Sequence, residues 1–444
     1  MRRPCFARLM REQRTKKQER PMVPVRTLVV RVVDGPDKGV EHAAPDEQLT
    51  IGSAQGNGLE LTDPNVSRFH VELRAVDEGI HILDQGSTNG TYIGDARIEG
   101  AYVPTGAEFR IGATRLVVSD GGKRMVPVVS TENFGEMYGR SERIRKLFAR
   151  ARKVAGSAVN VLLLGESGTG KELLARALHD HSERRDGPFV VVDCGALTPT
   201  LIASELFGHE RGAFTGALKD RKGAIERAAN GTLFIDELGE LPAELQPMLL
   251  GLLERRLYRR LGGDADLKAD VRVVSATHRD LRAEVNAGRF RLDLFYRLAV
   301  VTLELPPLRE RRGDIPLLIE RFLDACGAGD TSELLSPSDF EALITHRFDG
   351  NVRELRNIVE AAVAMGEPPI ALEPHSDDAP DADLPGAWLK RGYSEARQHV
   401  LHDFDRRYLT RLLDDAGGNV SEAARRARMN RSHLNTLLKR VKLR

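Results

Sequence analysis

The chain has 444 residues, enough for about three domains at roughly 150 residues each. Its composition, 41% hydrophobic and 30% charged, is that of a soluble globular protein, and 66 Lys and Arg against 65 Asp and Glu point to no partner by net charge. No run approaches the roughly 18 apolar residues of a membrane-spanning helix, and Cys5, Cys194 and Cys326 lie far apart. A disulfide scaffold and a Cys-based zinc site are thereby excluded, and a cytoplasmic protein without membrane contact is expected. Only 5% of residues are aromatic, which argues against single-strand nucleic-acid binding by base stacking.

Residues 1–24 form a basic, polar stretch with no apolar segment behind it, read as a disordered tail rather than a secretory signal. Met22 precedes the first patterned segment and is an alternative start. Over 25–120 the pattern changes to short β-branched runs, among them Thr27–Val33, Leu49–Gly52, His70–Arg74 and Thr114–Val118. Gly, Asp and Asn turn signals every 8–12 residues or so predict an all-β sandwich. Its 8 basic and 14 acidic residues between 25 and 119 do not suit a nucleic-acid surface. Residues 121–136, with Gly121-Gly122, read as a linker.

From 137 the period becomes helical, and Ile144, Leu147, Phe148, Ala151, Val154 and Ala155 form one stripe. Strand and helix patterns then alternate to 305, predicting a parallel α/β core, with helices over 306–366. A Pro-rich, acidic linker over 367–395 leads to a C-terminal helical segment, 396–444, with 12 basic and 5 acidic residues.

Two segments carry the chemistry. The apolar run Asn160–Leu164 is followed by GESGTGKE and then a helical pattern. Gly165, Gly168 and Gly170 allow backbone N–H groups to close round phosphate oxygens, Lys171 supplies charge, and the helix N-terminus adds its dipole. Glu172 stands where a Mg²⁺-binding Ser or Thr is usual. About 60 residues on, GTLFIDE ends an apolar strand on Asp236 and Glu237, one suited to hold Mg²⁺ and the other to polarise water. ATP and Mg²⁺ are the expected cofactors.

These residues, with ELFGHERGAFTGA at 205–217, resemble the AAA+ module of bacterial enhancer-binding proteins, the activators of sigma-54 RNA polymerase. The resemblance implies a nucleotide loop of Gly165, Glu166, Ser167, Gly168, Thr169, Gly170, Lys171 and Glu172. It implies a sigma-54-contacting loop of Gly212, Ala213, Phe214, Thr215, Gly216 and Ala217, with Phe214 and Thr215 at its tip. GRFRLDLFYRL is similar to the segment that gives Arg291 and Arg297 to a neighbour's γ-phosphate. Thr277, followed by His278 where the family more often has Asn, matches a nucleotide sensor strand, and Arg353 in GNVREL a second sensor. Phe348-Asp349 replace the family's usual Trp-Pro before that Gly. Asp193 replaces an Asn that holds the catalytic Glu, and an Asp there would repel Glu237 or share a proton with it.

DPNVSRFH and DQGSTNGT resemble a forkhead-associated domain, which implies phosphothreonine recognition by Ser67, Arg68, Thr88 and Asn89, with His70 bracing the loop. Ser53 replaces the Arg of that family's Gly-Arg signature. The C-terminal segment is similar to a Fis-type helix-turn-helix. Leu434, Leu437, Leu438 and Val441 line one face of its last helix, and Arg431, Ser432, Asn435, Lys439 and Arg440 face DNA. The order of these parts predicts an activator that binds enhancer DNA and remodels the closed sigma-54 polymerase complex. It would act as a homo-oligomeric ring, a hexamer by family, under phosphothreonine or protein contacts of the sandwich. A DNA-binding regulator or scaffold with a silent ATPase is the alternative.

Overall fold

The computed structural model describes residues 22–44, 47–76, 79–127, 131–327 and 337–366, with the isolated positions Val420, Arg425 and Leu438. The first part is a sandwich of eleven strands: β1 (Met22–Asp34), β2 (Glu41–Ala43), β3 (Gln48–Gly52), β4 (Leu59–Glu60), β5 (Val71–Val76), β6 (Gly79–Asp84), β7 (Thr91–Ile93), β8 (Ala96–Ile98), β9 (Gly100–Val103), β10 (Ala107–Ile111) and β11 (Thr114–Pro127). They form one sheet in the order β2-β1-β11-β10-β7-β8 and another in the order β4-β3-β5-β6-β9. Alternate side chains point between the sheets. Leu28, Val30, Val32, Ile51, Leu73, Ile82, Phe109, Leu116 and Val118 are accordingly buried in one core.

The linker expected over 121–136 is corrected. β11 continues past Gly121-Gly122 and pairs with β1 as far as Met22 opposite Pro127, so residues 22–24 also belong to the sheet. A register shift between Arg26 and Leu28 accommodates the glycine pair, where a β-carbon on Gly121 would come 2.6 Å from the Thr27 hydroxyl. A short hairpin of β12 (Asn133–Phe134) and β13 (Met137–Tyr138) follows, and Phe134 is buried against Phe148 of the next element. Strands β2, β8 and β9 had no clear sequence signal, because they are short edge or connecting pieces with mostly exposed side chains.

The α/β core opens with α1 (Glu142–Ala155), whose expected stripe is buried apart from the half-buried Val154. Then come β14 (Val161–Leu164), α2 (Lys171–Asp180), β15 (Phe189–Asp193), α3 (Pro199–Phe207), a ribbon of β16 (Gly208–His209) with β17 (Arg221–Lys222), α4 (Ala224–Arg227), β18 (Thr232–Asp236) and α5 (Gln246–Arg255). A second ribbon, β19 (Leu257–Tyr258) with β20 (Leu267–Lys268), precedes β21 (Arg272–Thr277), α6 (Leu281–Asn286), α7 (Leu292–Leu298) and β22 (Val301–Glu304). The five long strands form a parallel sheet in the order β15-β18-β21-β14-β22. Leu162, Leu163, Leu233, Phe234, Ile235, Val273 and Val274 fill it, with helices on both faces. Arg272, 2% exposed, donates to the carbonyls of Val154 and Ala155 at 3.0 and 2.8 Å, satisfying the open end of α1.

The lid comprises α8 (Ile315–Ala325), α9 (Pro337–Thr345) and α10 (Asn351–Met365) around Ile315, Ile319, Leu343, Phe348, Leu355 and Val359. Phe348, in place of the expected Trp, is fully buried at φ 52° with its ring edge-on to His346. Asp314 joins the lid to the core. Its carboxylate, itself fully buried, accepts from the N–H groups of Arg140 and Ser141 at 2.6 Å each and from the Ser141 hydroxyl at 2.8 Å. Asp314→Ala leaves these donors buried and unpaired, and urea denaturation should show a loss of about 2–3 kcal/mol.

Candidate active site

Parallel register sets the site. Asp193 lies level with Asp236 across β15 and β18, and Leu164 level with Thr277 across β14 and β21, so the loops after these strands open on one edge. That edge is where an α/β sheet binds its ligand. The phosphate loop runs from β14 to α2 with Gly165, Gly168 and Gly170 at φ 153°, 76° and 105°, conformations open to glycine at little cost. A β-carbon on Gly168 would fall 2.2 Å from the Gly350 carbonyl oxygen, so the lid also requires glycine there. Lys171 is buried and donates to the carbonyls of Gly165 and Glu166 at 2.9 and 3.1 Å. Burial pulls its pKa down, and the carboxylates of Glu237 and Asp236 oppose that. The Thr169 hydroxyl donates to the Glu166 carbonyl, and Glu172 is exposed.

Asp236 ends β18 half-buried, and its Oδ1 accepts the Glu237 N–H at 3.0 Å. Burial raises its pKa, as do the charges of Glu237 and Asp193, while Lys171 opposes the rise. Burial, then the charge of Asp193, likewise pushes the thiol of Cys194 up to about 12, which makes it an inert core residue. Glu237 occupies the left-handed region at φ 48°. Its Oε2 lies 2.7 Å from His278 Nδ1. Asp193 instead accepts the Gly195 N–H at 2.8 Å. The expected relation of Asp193 to Glu237 is therefore refined: the direct partner of Glu237 is His278, and Asp193 acts on the site through charge. Thr277 is fully buried and accepts the Arg279 N–H.

The lid closes over the loop through a cluster that the sequence reading missed in part. Arg309 makes a bidentate pair with Glu166 at 2.7 and 2.5 Å, holding that carboxyl below its usual range. Asn351, fully buried at φ 55°, donates to Glu166 and to the Ser167 carbonyl at 3.1 and 3.0 Å and accepts the Leu308 N–H at 2.8 Å. The Gly-Asn pair at the start of α10 was the available signal, since Asn tolerates a positive φ. Arg353 reaches the Ser167 hydroxyl at 3.3 Å.

Arg291 and Arg297 lie elsewhere. Arg291 pairs with Asp293 at 2.7 Å and Arg297 with Glu254 at 3.2 Å, both exposed, and neither hydrogen-bonds the phosphate loop among the described residues. The 212–217 loop leaves the β16–β17 ribbon and closes with Gly212 N–H to the Ala217 carbonyl at 2.8 Å. Gly212 and Gly216 have φ 86° and 103°. Of the two residues expected at the tip, Thr215 is exposed and Phe214 is half-buried, edge-on to His209. Leu218, 81% exposed, is the apolar group most open to solvent there.

In the sandwich, Ser67 Oγ accepts the Thr88 N–H at 3.0 Å and Asn89 Nδ2 donates to the Asn65 carbonyl at 2.8 Å. Buried His70 bridges the Ser67 N–H and the Gly90 carbonyl at 3.0 and 3.2 Å. Burial lowers its pKa, so it stays neutral as the bridge requires. Arg68, Thr88 and Asn89 are exposed together. Arg431, Ser432, Asn435, Lys439 and Arg440 lie outside the described residues.

A phosphate loop, a strand-end Asp-Glu pair and a lid over the loop define a P-loop ATPase of the AAA+ class, here carrying a forkhead-associated-like sandwich. The model for "Sigma-54 interaction domain" matches residues 137–304 and that for "AAA+ ATPase lid domain" 309–375. "Inner membrane component of T3SS, cytoplasmic domain" matches 31–122. The chain is 43% identical over 297 residues to the response regulator protein PilR of Pseudomonas aeruginosa, covering 65% of this chain and 66% of that protein. It is 43% identical over 309 residues to the transcriptional regulatory protein GlrR of Escherichia coli, covering 68% and 67%. The alignments thus span about two thirds of these relatives. A crystal structure of NtrX from Brucella abortus in complex with ADP aligns at 34% identity and TM-score 0.50, over 70% of this chain and 69% of that one. An FHA domain from a study of phosphothreonine-dependent interactions aligns at 27% identity and TM-score 0.20, over 21% of this chain and 95% of that one. The chain belongs to the sigma-54-dependent transcriptional regulators and carries their AAA+ ATPase.

Two substitutions probe the site. Glu237→Gln should retain ATP binding and lose about 100-fold or more in turnover, measured by equilibrium dialysis and phosphate release. His278→Ala unties Glu237, and basal turnover should rise a few-fold. A fall would mean that His278 aims the carboxylate at water.

Proposed function

We propose that this chain is a ring-forming activator that binds enhancer DNA through residues 396–444 and uses ATP hydrolysis to remodel the closed sigma-54 polymerase complex. The observation that carries the reading is the division of the nucleotide chemistry. Lys171, Asp236 and Glu237 gather at one sheet edge, while Arg291 and Arg297 sit exposed on another part of the surface. A γ-phosphate bound at the loop gains guanidinium charge from those residues when a second subunit supplies it. Ring assembly, with six subunits as the family implies, follows from that need.

Gly165–Glu172 would cradle the ATP phosphates, with Lys171 neutralising charge and Arg353 and Thr277 sensing the nucleotide. Asp236 suits Mg²⁺: burial first, and then the charges of Glu237 and Asp193, raise its pKa, and a cation would offset that negative charge. Among the described residues no group of three or more His, Cys, Asp or Glu forms a metal cage. One carboxylate, completed by water and phosphate oxygens, is a common way of holding this ion. Mg²⁺ supplies charge neutralisation to the phosphates. Glu237 would polarise the attacking water on release from His278, with Asp193 setting the field around it.

The 212–217 loop would meet sigma-54 through Thr215, with Phe214 braced on His209. Ser67, Arg68, Thr88 and Asn89 would receive a phosphothreonine-containing protein or peptide. Ser53 in the Arg position removes one cation, so binding should be weaker than an Arg-bearing site would give. No helix among the described residues is long and apolar enough to cross a membrane. Turnover per subunit should rise steeply with protein concentration in the micromolar range. A flat profile would contradict a site completed by a neighbour.

A further inference from the structure

The loops that would read phosphothreonine are also the surface by which the sandwich rests on the ATPase. Phe69 follows Ser67-Arg68 directly, yet its ring is 2% exposed and buried in the ATPase core, edge-on to Phe295 at 5.2 Å. Asn286, the last residue of α6, donates to the carbonyls of Phe69 and Gln85 at 2.5 and 2.9 Å. The Tyr296 hydroxyl on α7 donates to the Gln55 carbonyl, and a β-carbon on Gly56 would lie 3.0 Å from the Tyr296 ring. Three loops at this end, 53–58, 61–70 and 85–90, therefore touch α6 or α7. An ion pair of buried Glu72 with half-buried Arg282 at 2.9 Å flanks the contact.

We propose that these loops hold the α6–α7 helix pair as an internal ligand, and that a phosphothreonine segment competes with it. Binding of that segment would free the stretch that bears Arg291 and Arg297. The inference rests on the phosphothreonine reading given above. A peptide crossing the loop tips needs the space over Gln55-Gly56 that Tyr296 fills. A phosphate held by Ser67 and Arg68 acts on the two residues whose backbone leads into the Phe69 anchor. Phe69, the next residue after Arg68, also faces the Tyr296 ring at 6.4 Å between centroids, so a phosphate that engages Arg68 acts one residue from this contact. Because the two ligands share one surface, each weakens the other by the same factor.

Geometry supplies a reversible lock. A β-carbon on Gly86 would stand 3.7 Å from that of Ala283, within the usual disulfide span; Gly86 lies at φ 66°, a strained backbone for Cys, and comparing oxidised with reduced forms of one variant holds that strain constant. The test uses the full chain with Cys5→Ser and Cys326→Ser, carrying Gly86→Cys and Ala283→Cys. Binding of a degenerate phosphothreonine peptide library and ATP turnover are read in oxidised and reduced forms. Oxidation should weaken library binding about tenfold or more and leave turnover low and peptide-insensitive, with both restored by reduction. Asn286→Ala, without the lock, should bind the library more tightly and turn over ATP faster without peptide. Equal library binding by oxidised and reduced protein, or an Asn286→Ala variant unchanged in both readouts, overturns the proposal. Library binding by no form, with turnover still following the lock, also overturns the competition. That pattern places the failure in the phosphothreonine reading, since the contact would still act as a brake.

Discussion

The chemistry of the ATPase depends on the register of one parallel sheet. Strands β15, β18, β21 and β14 end together, which brings Asp193, Asp236, Thr277 and the start of the phosphate loop to a single edge. A slip of one residue in β18 would turn Asp236 to the other face and bury a charge in the core. The fully buried run Leu233–Ile235 resists such a slip, because it would also replace packed apolar contacts with the polar ends of the strand.

The lid is tied to this edge by hydrogen bonds rather than by apolar packing alone. Glu166, Arg309 and Asn351 form one cluster, and α10 begins with the Val352 N–H directed to the Gly168 carbonyl at 3.1 Å. The phosphate loop is thus bonded to the element that would move when nucleotide binds. Elsewhere on the core, Arg291 just before α7 and Arg297 within it are exposed, and Phe295 and Tyr296 of the same helix receive the sandwich. In the proposed ring, this one helix would connect nucleotide chemistry in a neighbouring subunit with a signal arriving at the N-terminal domain.

Local features were legible in the sequence and relational ones were not. GESGTGKE and GTLFIDE could be read because glycines, a lysine and carboxylates at fixed spacing state their chemistry within a few residues. The sandwich core could be read from period-two alternation at Leu28, Val30 and Val32. The continuation of β11 through Gly121-Gly122 could not, because glycine signals a turn unless a partner strand is known to absorb it with a register shift. Asn351 and Arg309 escaped notice because their roles exist only once the lid lies on the loop. The His278–Glu237 pair joins residues 41 apart in sequence, which only the adjacency of β18 and β21 explains. Nothing in DPNVSRFH marks Phe69 as a residue of the ATPase core, and only the fold shows that it serves that domain.

The central claim is that each nucleotide site draws on two subunits, and mixing defective subunits tests it most directly. Glu237→Gln subunits keep their arginines, and Arg297→Ala subunits keep Glu237. Each should be nearly inactive alone, and the account predicts that an equimolar mixture recovers a substantial fraction of wild-type ATP turnover. A mixture no more active than its two components, with co-assembly verified by sedimentation, would contradict it.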